Sequence, residues 1–447
     1  MRRIIVVFFL ITSTTSAQEI QNNIFGFATS NTFTYCDVSD TNFINNVREI
    51  NPKILRFPGG AVGNFYHFGK AGYGFDFIEI DKFHDGKFPK RSRGLENSRK
   101  KKKHNYNYIE DFINLAKKTK SSAVLVANPF VDTDEDILLM IDKIQKNNIS
   151  VIGVELGSEL SNRSYFTKGY DIEDYILFSE RCSKAIKDKF PKIKVAIVAA
   201  PLGKKSGHRH NIWNTRMSKK TFYDAVIIHS YAKVINGKAL DGAMITEHTI
   251  EKDKTKQFNE YKDKIINYFN TVYPSEIKLY NTIFNKPLWV TEWNLQMSKT
   301  TGNTMLQSLF VAQYFLEVLS NPKLSSIELT TYHNLGGRDL SGSIFGYNNN
   351  LIDIRSTFYP ISMIGKIFEN DIVSIKKNKT DNIFIYKCFD INNKEIISYN
   401  VDWMSNHFSC IYAIDSTKYS MTYSSLNLFD RADKKGLLNL EIYKLDE

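Results

Sequence analysis

Between Ile24 and Tyr332 the chain alternates short, continuous apolar runs with longer amphipathic stretches, and that rhythm narrows the architecture sharply. Short apolar runs followed by helix-length segments read as strand–helix units, which build a parallel sheet. Eight runs qualify: residues 25–29, 54–57, 123–127, 151–156, 195–199, 225–229, 288–291 and 327–332. They are mostly apolar throughout rather than alternating, as strands covered on both faces must be. Eight such units predict an α/β fold, a (β/α)8 TIM barrel. The segments between them carry helical stripes, such as Ile109, Phe112, Ile113 and Leu115, or Ile137, Leu138, Met140, Ile141 and Ile144. These stripes read as core.

Beyond about residue 351 the texture changes. Residues 357–368 read as a last helix, followed by short β-rich runs with turn signals at Asn378-Lys379 and Asn392-Asn393. The expected layout is a catalytic barrel over residues 18–355 and a small β-sandwich over 356–447, its first strand supplied by residues near the mature N-terminus. At 447 residues the chain is long enough for both.

The first residues have the three parts of an export signal in order. Met1-Arg2-Arg3 is positive, residues 4–11 are apolar, and Thr15-Ser16-Ala17 is a small-residue cleavage site. Residues 1–17 are therefore expected to be a signal peptide and the protein to be secreted or periplasmic. The apolar run is short of the roughly 20 residues a bilayer needs, so no membrane span is expected. Cys36, Cys182, Cys388 and Cys410 are widely spaced and form no CxxC pair, which speaks against a zinc site or a disulfide framework. Cys388 and Cys410 are close enough in sequence to pair within the second domain.

The net charge is +11 and the pI about 9.1, which favours a partner of negative charge. Part of the excess is local, in Lys90, Arg91, Arg93, Arg99 and the run Lys100 to Lys103. Such a run suits nucleic acid, an anionic membrane surface or an acidic polysaccharide, and equally a solvated insertion. No nucleic-acid motif accompanies it, so nucleic acid is not the expected partner.

A parallel barrel opens all its strand C-termini onto one face, so carboxylates just after a strand are the ones to examine. Two stand out. Glu159 follows the fourth run, after Gly157 lets the backbone turn; Glu292 ends the seventh, flanked by Trp289 and Trp293. A carboxylate beside aromatic rings suits a sugar, whose CH faces pack on aromatics, and Trp293 is a candidate platform. Retaining sugar hydrolysis needs two carboxyls about 5–5.5 Å apart, one protonated and one ionised.

In these motifs the chain resembles clan A glycoside hydrolases, especially the α-L-arabinofuranosidase and heparanase/β-glucuronidase families. The motifs are Leu55-Arg-Phe-Pro-Gly-Gly60, Glu155-Leu-Gly-Ser-Glu159, Asp224-Ala-Val-Ile-Ile-His-Ser-Tyr231 and Trp289-Val-Thr-Glu-Trp293. The resemblance implies a retaining hydrolase with Glu159 as acid/base and Glu292 as nucleophile. It also implies that Arg56 lies near the nucleophile and that His229 and Tyr231 hydrogen-bond it; core packing and a rim position fit those two as well. Gly59-Gly60 would turn the chain tightly beside the first sugar subsite. Asn64, His67 and Asn128 are candidate sugar contacts, for which a plain loop role fits equally.

One position departs from the clan's pattern: Ser158 stands where an asparagine usually precedes the acid/base and holds a sugar hydroxyl. No cofactor is required. Gly207-His-Arg-His210 has too few ligands for a good metal site and reads as a cationic rim. The favoured substrate is an anionic, uronic-acid-bearing or sulfated polysaccharide. The alternatives are a neutral glycan such as an α-L-arabinofuranoside, a non-catalytic carbohydrate-binding barrel, and a basic surface adhesin.

Overall fold

The computed structural model describes residues 20–445 apart from 71–73, 76, 84–96, 98–106, 235–236, 241–243, 248–252, 297, 299, 339–341 and 349–350. The expected export signal and the basic run from Lys90 to Lys103 lie outside the described residues. Eight parallel strands close into a barrel: β1 (Gly26–Ala28), β2 (Ile54–Phe57), β3 (Ser122–Val126), β4 (Val151–Glu155), β5 (Lys194–Val198), β6 (Ala225–Ala232), β7 (Leu288–Leu295) and β8 (Ile327–Tyr332). The order around the barrel is sequential, and β1 closes on β8. The Trp289 indole fills the barrel interior beside Gly153, where a Cβ would collide with its ring.

Around the barrel lie α1 (Thr41–Ile50), α2 (Phe77–Phe83), α3 (Ile109–Thr119), α4 (Glu135–Lys146), α5 (Ile172–Lys189), α6 (Arg209–Met217), α7 (Lys254–Asn267), α8 (Tyr273–Phe284), α9 (Met305–Ser320) and α10 (Phe358–Gly365). Among the described residues no helix is long and apolar enough to cross a membrane.

The second domain is a six-stranded antiparallel meander: β9 (Ser374–Thr380), β10 (Ile383–Phe389), β11 (Glu395–Asp402), β12 (His407–Ile414), β13 (Thr417–Ser424) and β14 (Asn439–Leu445). All six strands come from C-terminal residues; the segment before β1 instead makes a short turn, Asn22–Ile24, whose Ile24 carbonyl accepts from Thr330 Oγ1 at 2.6 Å. Alternate residues such as Phe384, Tyr386, Ile397, Tyr399 and Phe408 turn one face inward. That face is tied to α9 and α10: Trp403 Nε1 donates to Gln313 at 2.7 Å, Tyr386 to Glu317 at 2.7 Å, and Tyr399 to the Met363 carbonyl at 2.9 Å. Helix α9 is buried on every side because barrel and sheet cover it from both directions.

Two sequence expectations shift here. Asn378-Lys379 is strand rather than turn, and the β9–β10 reversal falls at Asp381-Asn382, with Asp381 left-handed at φ 52°. The lysines of β9 mark an exposed edge strand, whose polarity mimics a loop. Cys388 on β10 and Cys410 on β12 are free, with β11 between them. Two strand spacings of about 4.8 Å exceed the roughly 7 Å that a disulfide spans between Cα atoms.

Strands β6 and β7 are the longest of the barrel, at eight residues each, and their wall carries the chemistry. Against β6, Val290 pairs with Ile228 but Glu292 pairs with His229; against β8, Val290 pairs with Thr330 and Trp293 with Tyr332. Strand β7 thus holds one extra residue, a β-bulge at Thr291-Glu292. A bulge breaks alternation and re-aims side chains. Here it turns the consecutive Thr291 and Glu292 both toward the barrel axis.

Candidate active site

Arg56 points inward from β2 and is fully buried. Its guanidinium forks onto Glu155 of β4, with Nε at 2.7 Å and Nη2 at 2.8 Å, while Nη1 donates to Glu292 Oε1 at 2.9 Å. Tyr231 from β6 donates to the other Glu292 oxygen at 2.9 Å. Burial pushes the Glu292 carboxyl up, but the charges of His229, His333 and Arg56 and the Arg56 hydrogen bond hold it well below the usual carboxylate range. Gly60 sits at φ 66° and ψ −179°, a backbone region that only glycine occupies comfortably. A Cβ there would lie 3.8 Å from Glu292 Oε1.

Glu159 stands across the cleft, beyond β4, with its own backbone left-handed at φ 52°. Its side chain is 41% exposed against 8% for Glu292. His229 Nδ1 lies 2.9 Å from Glu159 Oε1 and 3.6 Å from Glu292 Oε2, and Asn162 donates to Glu159 Oε2 at 3.0 Å. His229 therefore contacts Glu159 more closely than Glu292. Burial pulls the imidazole down, but Glu292 and Glu159 raise it further, and the net direction is up. A carboxylate oxygen of each glutamate and a His229 nitrogen lie within 4.8 Å of one another. The two carboxyls therefore face one another across a narrow gap, with His229 between them. The trio could also hold a cation by spacing alone, but Arg56 already supplies the compensating charge at Glu292.

Ser158 is fully buried, its hydroxyl 3.4 Å from Arg56 Nη2. The Asn64 amide clamps the Ser158 backbone from both sides, at 2.7 Å to the carbonyl and 2.7 Å from the N–H. Asn64 therefore fixes the loop that presents Glu159; it is buried and its amide is occupied, so the expectation of a direct sugar contact is corrected.

Three other expected contacts lie elsewhere. His67 bridges Glu79 of α2, at 2.6 Å, and Asp136 of α4, at 3.0 Å, which push it up to about 9 against the pull of burial. Asn128 donates to Glu79 at 3.0 Å in the same cluster. Both residues fasten α2 to the barrel rim. Trp293, next after the bulge, points outward and stacks on Tyr314 of α9 at 3.6 Å between centroids. It is fully buried and offers no face to a sugar.

The cationic rim is also partly corrected. His210 is buried and pulled down to about 4 by desolvation and by Arg209, so it is neutral near pH 7. Arg209 donates to the Ser161 carbonyl at 3.3 Å and covers the Phe166 ring, bracing the loop that carries Glu159.

Sequence reasoning overlooked Glu155, Thr291 and His333. Glu155 had a signal: an arginine and a glutamate inside two apolar barrel runs need each other. Thr291, whose hydroxyl lies 3.2 Å from Glu155 and 3.3 Å from His229, was hidden by the bulge. His333 follows β8 directly and packs edge-on against Tyr231.

No family model and no curated protein matches the chain by sequence. Solved structures match in fold. A family 51 α-L-arabinofuranosidase from Bifidobacterium longum is similar at 11% identity, with 96% of this chain and 92% of that one covered and a TM-score of 0.62. An α-L-arabinofuranosidase from Thermotoga maritima gives 12%, 96%, 93% and 0.62. A 4-O-α-L-rhamnosyl-β-D-glucuronidase from Fusarium oxysporum 12S gives 12%, 97%, 94% and 0.52. The likeness spans both domains and bears out the clan A resemblance at the level of fold.

Proposed function

We propose that this chain is a retaining glycoside hydrolase, with Glu292 as nucleophile and Glu159 as acid/base, acting on an anionic glycan. The observation that carries the reading is the unequal pair of carboxyls: one buried and held ionised, the other half-exposed at the cleft, within 4.8 Å of it.

Glu292 attacks the anomeric carbon and forms a glycosyl ester as the bond to the leaving oxygen breaks. Glu159 delivers the proton to that oxygen, and the Glu159–His229 pair holds it beforehand. Glu159 then takes a proton from the water that attacks the ester, which releases the sugar with retained configuration. Arg56 and Tyr231 hold the two oxygens of Glu292 in place for the attack.

The anionic substrate is supported by the loops beside Glu159. Residues 160–170 and 199–210 contain Arg163, Lys168, Lys204, Lys205 and Arg209 and no aspartate or glutamate. The N-terminal signal supports export, where such a polysaccharide would be met. A neutral α-L-arabinofuranoside is the second reading, since two of the similar structures bear that enzyme's name.

The test is to incubate the protein, beside Glu292→Gln, with acidic and neutral polysaccharides and aryl glycosides and to measure reducing ends. Release by the first protein alone, with the anomer retained by NMR, is the expected result. Binding without release by either protein would sink the hydrolase reading in favour of a sugar-binding barrel.

A further inference from the structure

A cavity of about 560 Å³ opens beside Glu159, between the C-terminal ends of β5 and β6 and helices α7 and α8. This is within the size range of small-ligand sites, about 300–1,000 Å³. Glu159, Asn162, His229 and Tyr231 line it, whereas Arg56, Gly60 and Glu292 do not. A group seated there meets the proton donor and not the nucleophile, which is the place a leaving group must occupy. The walls are largely apolar, with Val198, Leu202, Val272 and Tyr280, and Val272 is exposed at the lip. Its polar lining includes Ser230, Asn267, Glu276, Lys264 and Lys233.

We propose that this cavity is the leaving-group subsite and that it takes an acidic sugar residue, with the anionic substituent on Lys233 and the apolar ring face on Leu202 and Val272. The inference rests on Glu159 being the acid. Of the two lysines, Lys264 is already engaged, at 2.6 Å from Glu260 and 3.2 Å from the Val234 carbonyl. Lys233 is exposed, and its charge acts on Glu276. Glu276 is the competing anion in the wall. Burial pushes its carboxyl up more than Ser230 and Lys233 pull it down. The carboxylate-free loops 160–170 and 199–210 adjoin the same cavity through Ser161, Asn162, Pro201 and Leu202, so an acidic chain leaving it meets no repulsion from them.

The experiment uses the full chain with Glu292→Gln, which binds without turnover. Its affinity is measured by calorimetry for a glucuronate-bearing tetrasaccharide and for the same tetrasaccharide after carboxyl reduction. The acidic form should bind about fivefold more tightly, as an exposed ion pair allows. Adding Lys233→Met should abolish that preference, Lys233→Arg should keep it, and raised salt should shrink it. Equal affinity for the two forms, or a preference that survives Lys233→Met, overturns the subsite. Failure of the unsubstituted protein to release reducing ends, with the preference still following Lys233, overturns the catalytic reading and leaves the anion site standing.

Discussion

Arg56→Met tests the charge arrangement most directly. The guanidinium is fully buried and makes three contacts of 2.7, 2.8 and 2.9 Å to two carboxylates. Without it, Glu155 keeps the Thr291 hydroxyl at 3.2 Å and Glu292 keeps Tyr231 at 2.9 Å. Removing one partner of a buried pair costs about 3–5 kcal/mol, because a charge stays behind without compensation. No screening discount applies, since water does not reach the group. The charged hydrogen bond to Glu292 alone favours its ionised form by about 1.5–3 kcal/mol, or roughly 1–2 pH units. The sign follows from the depressed Glu292 carboxyl. Its stabilisation is present above the ordinary carboxylate value of about 4.3 and is lost as pH falls through the folded value. The variant should therefore unfold at lower urea near pH 7, with the deficit narrowing only below about pH 4. The acid limb of its kcat/KM profile should move up by about 1–2 units. Arg56→Lys should fall between, because one ammonium cannot fork to both carboxylates. A stability loss under about 1 kcal/mol with an unmoved acid limb would refute the idea that Arg56 holds Glu292 ionised.

Glu159→Gln should lower turnover of unactivated glycosides by about 10²–10⁴-fold and affect activated aryl glycosides far less; equal losses on both would count against its proton-donor role. His67 is raised from 6.5 to about 9, so its bridge to Glu79 and Asp136 stabilises fully below pH 6.5 and is lost as pH rises through 9. Thermal melts from pH 6 to 10 should show that decline, and His67→Gln should flatten it. Glu317 is buried in α9 and accepts from Tyr386 at 2.7 Å and from Lys377. Glu317→Ala strands the Tyr386 hydroxyl in the domain interface at a cost of about 1–3 kcal/mol. Faster proteolysis of the C-terminal sheet, with the barrel intact, is the expected sign.

The barrel was legible because burial on both faces writes strands as continuous apolar runs, and all eight fall within two residues of their expected starts. The carboxyl pair Glu159 and Glu292 was legible for a related reason: a charged residue at the tip of such a run has nowhere to face but the open end. What escaped depends on contacts distant in sequence. His67 and Asp136 are 69 residues apart, and nothing local in either predicts the other. Trp293 failed because an aromatic residue beside a carboxylate was read as its neighbour in space. Adjacent strand residues point to opposite faces, so Trp293 faces α9 while Glu292 faces the axis. The bulge then hid Thr291, since it lets two consecutive residues share one side. No sequence pattern announces such an insertion.

Two glutamates at strand ends are the same chemical group, and their surroundings must assign the work. A nucleophile has to be ionised when it attacks and again when its ester is released, which asks for fixed positive charge and little water. Glu292 has Arg56, His229 and His333 around it and a side chain 8% exposed. An acid/base has to regain its proton each turnover, which asks for a route to solvent and a partner that exchanges protons. Glu159 is 41% exposed, contacts His229 at 2.9 Å and borders the cavity where a leaving group would sit. Exchanging the roles fails at Glu292, whose carboxyl is held too acidic to deliver a proton.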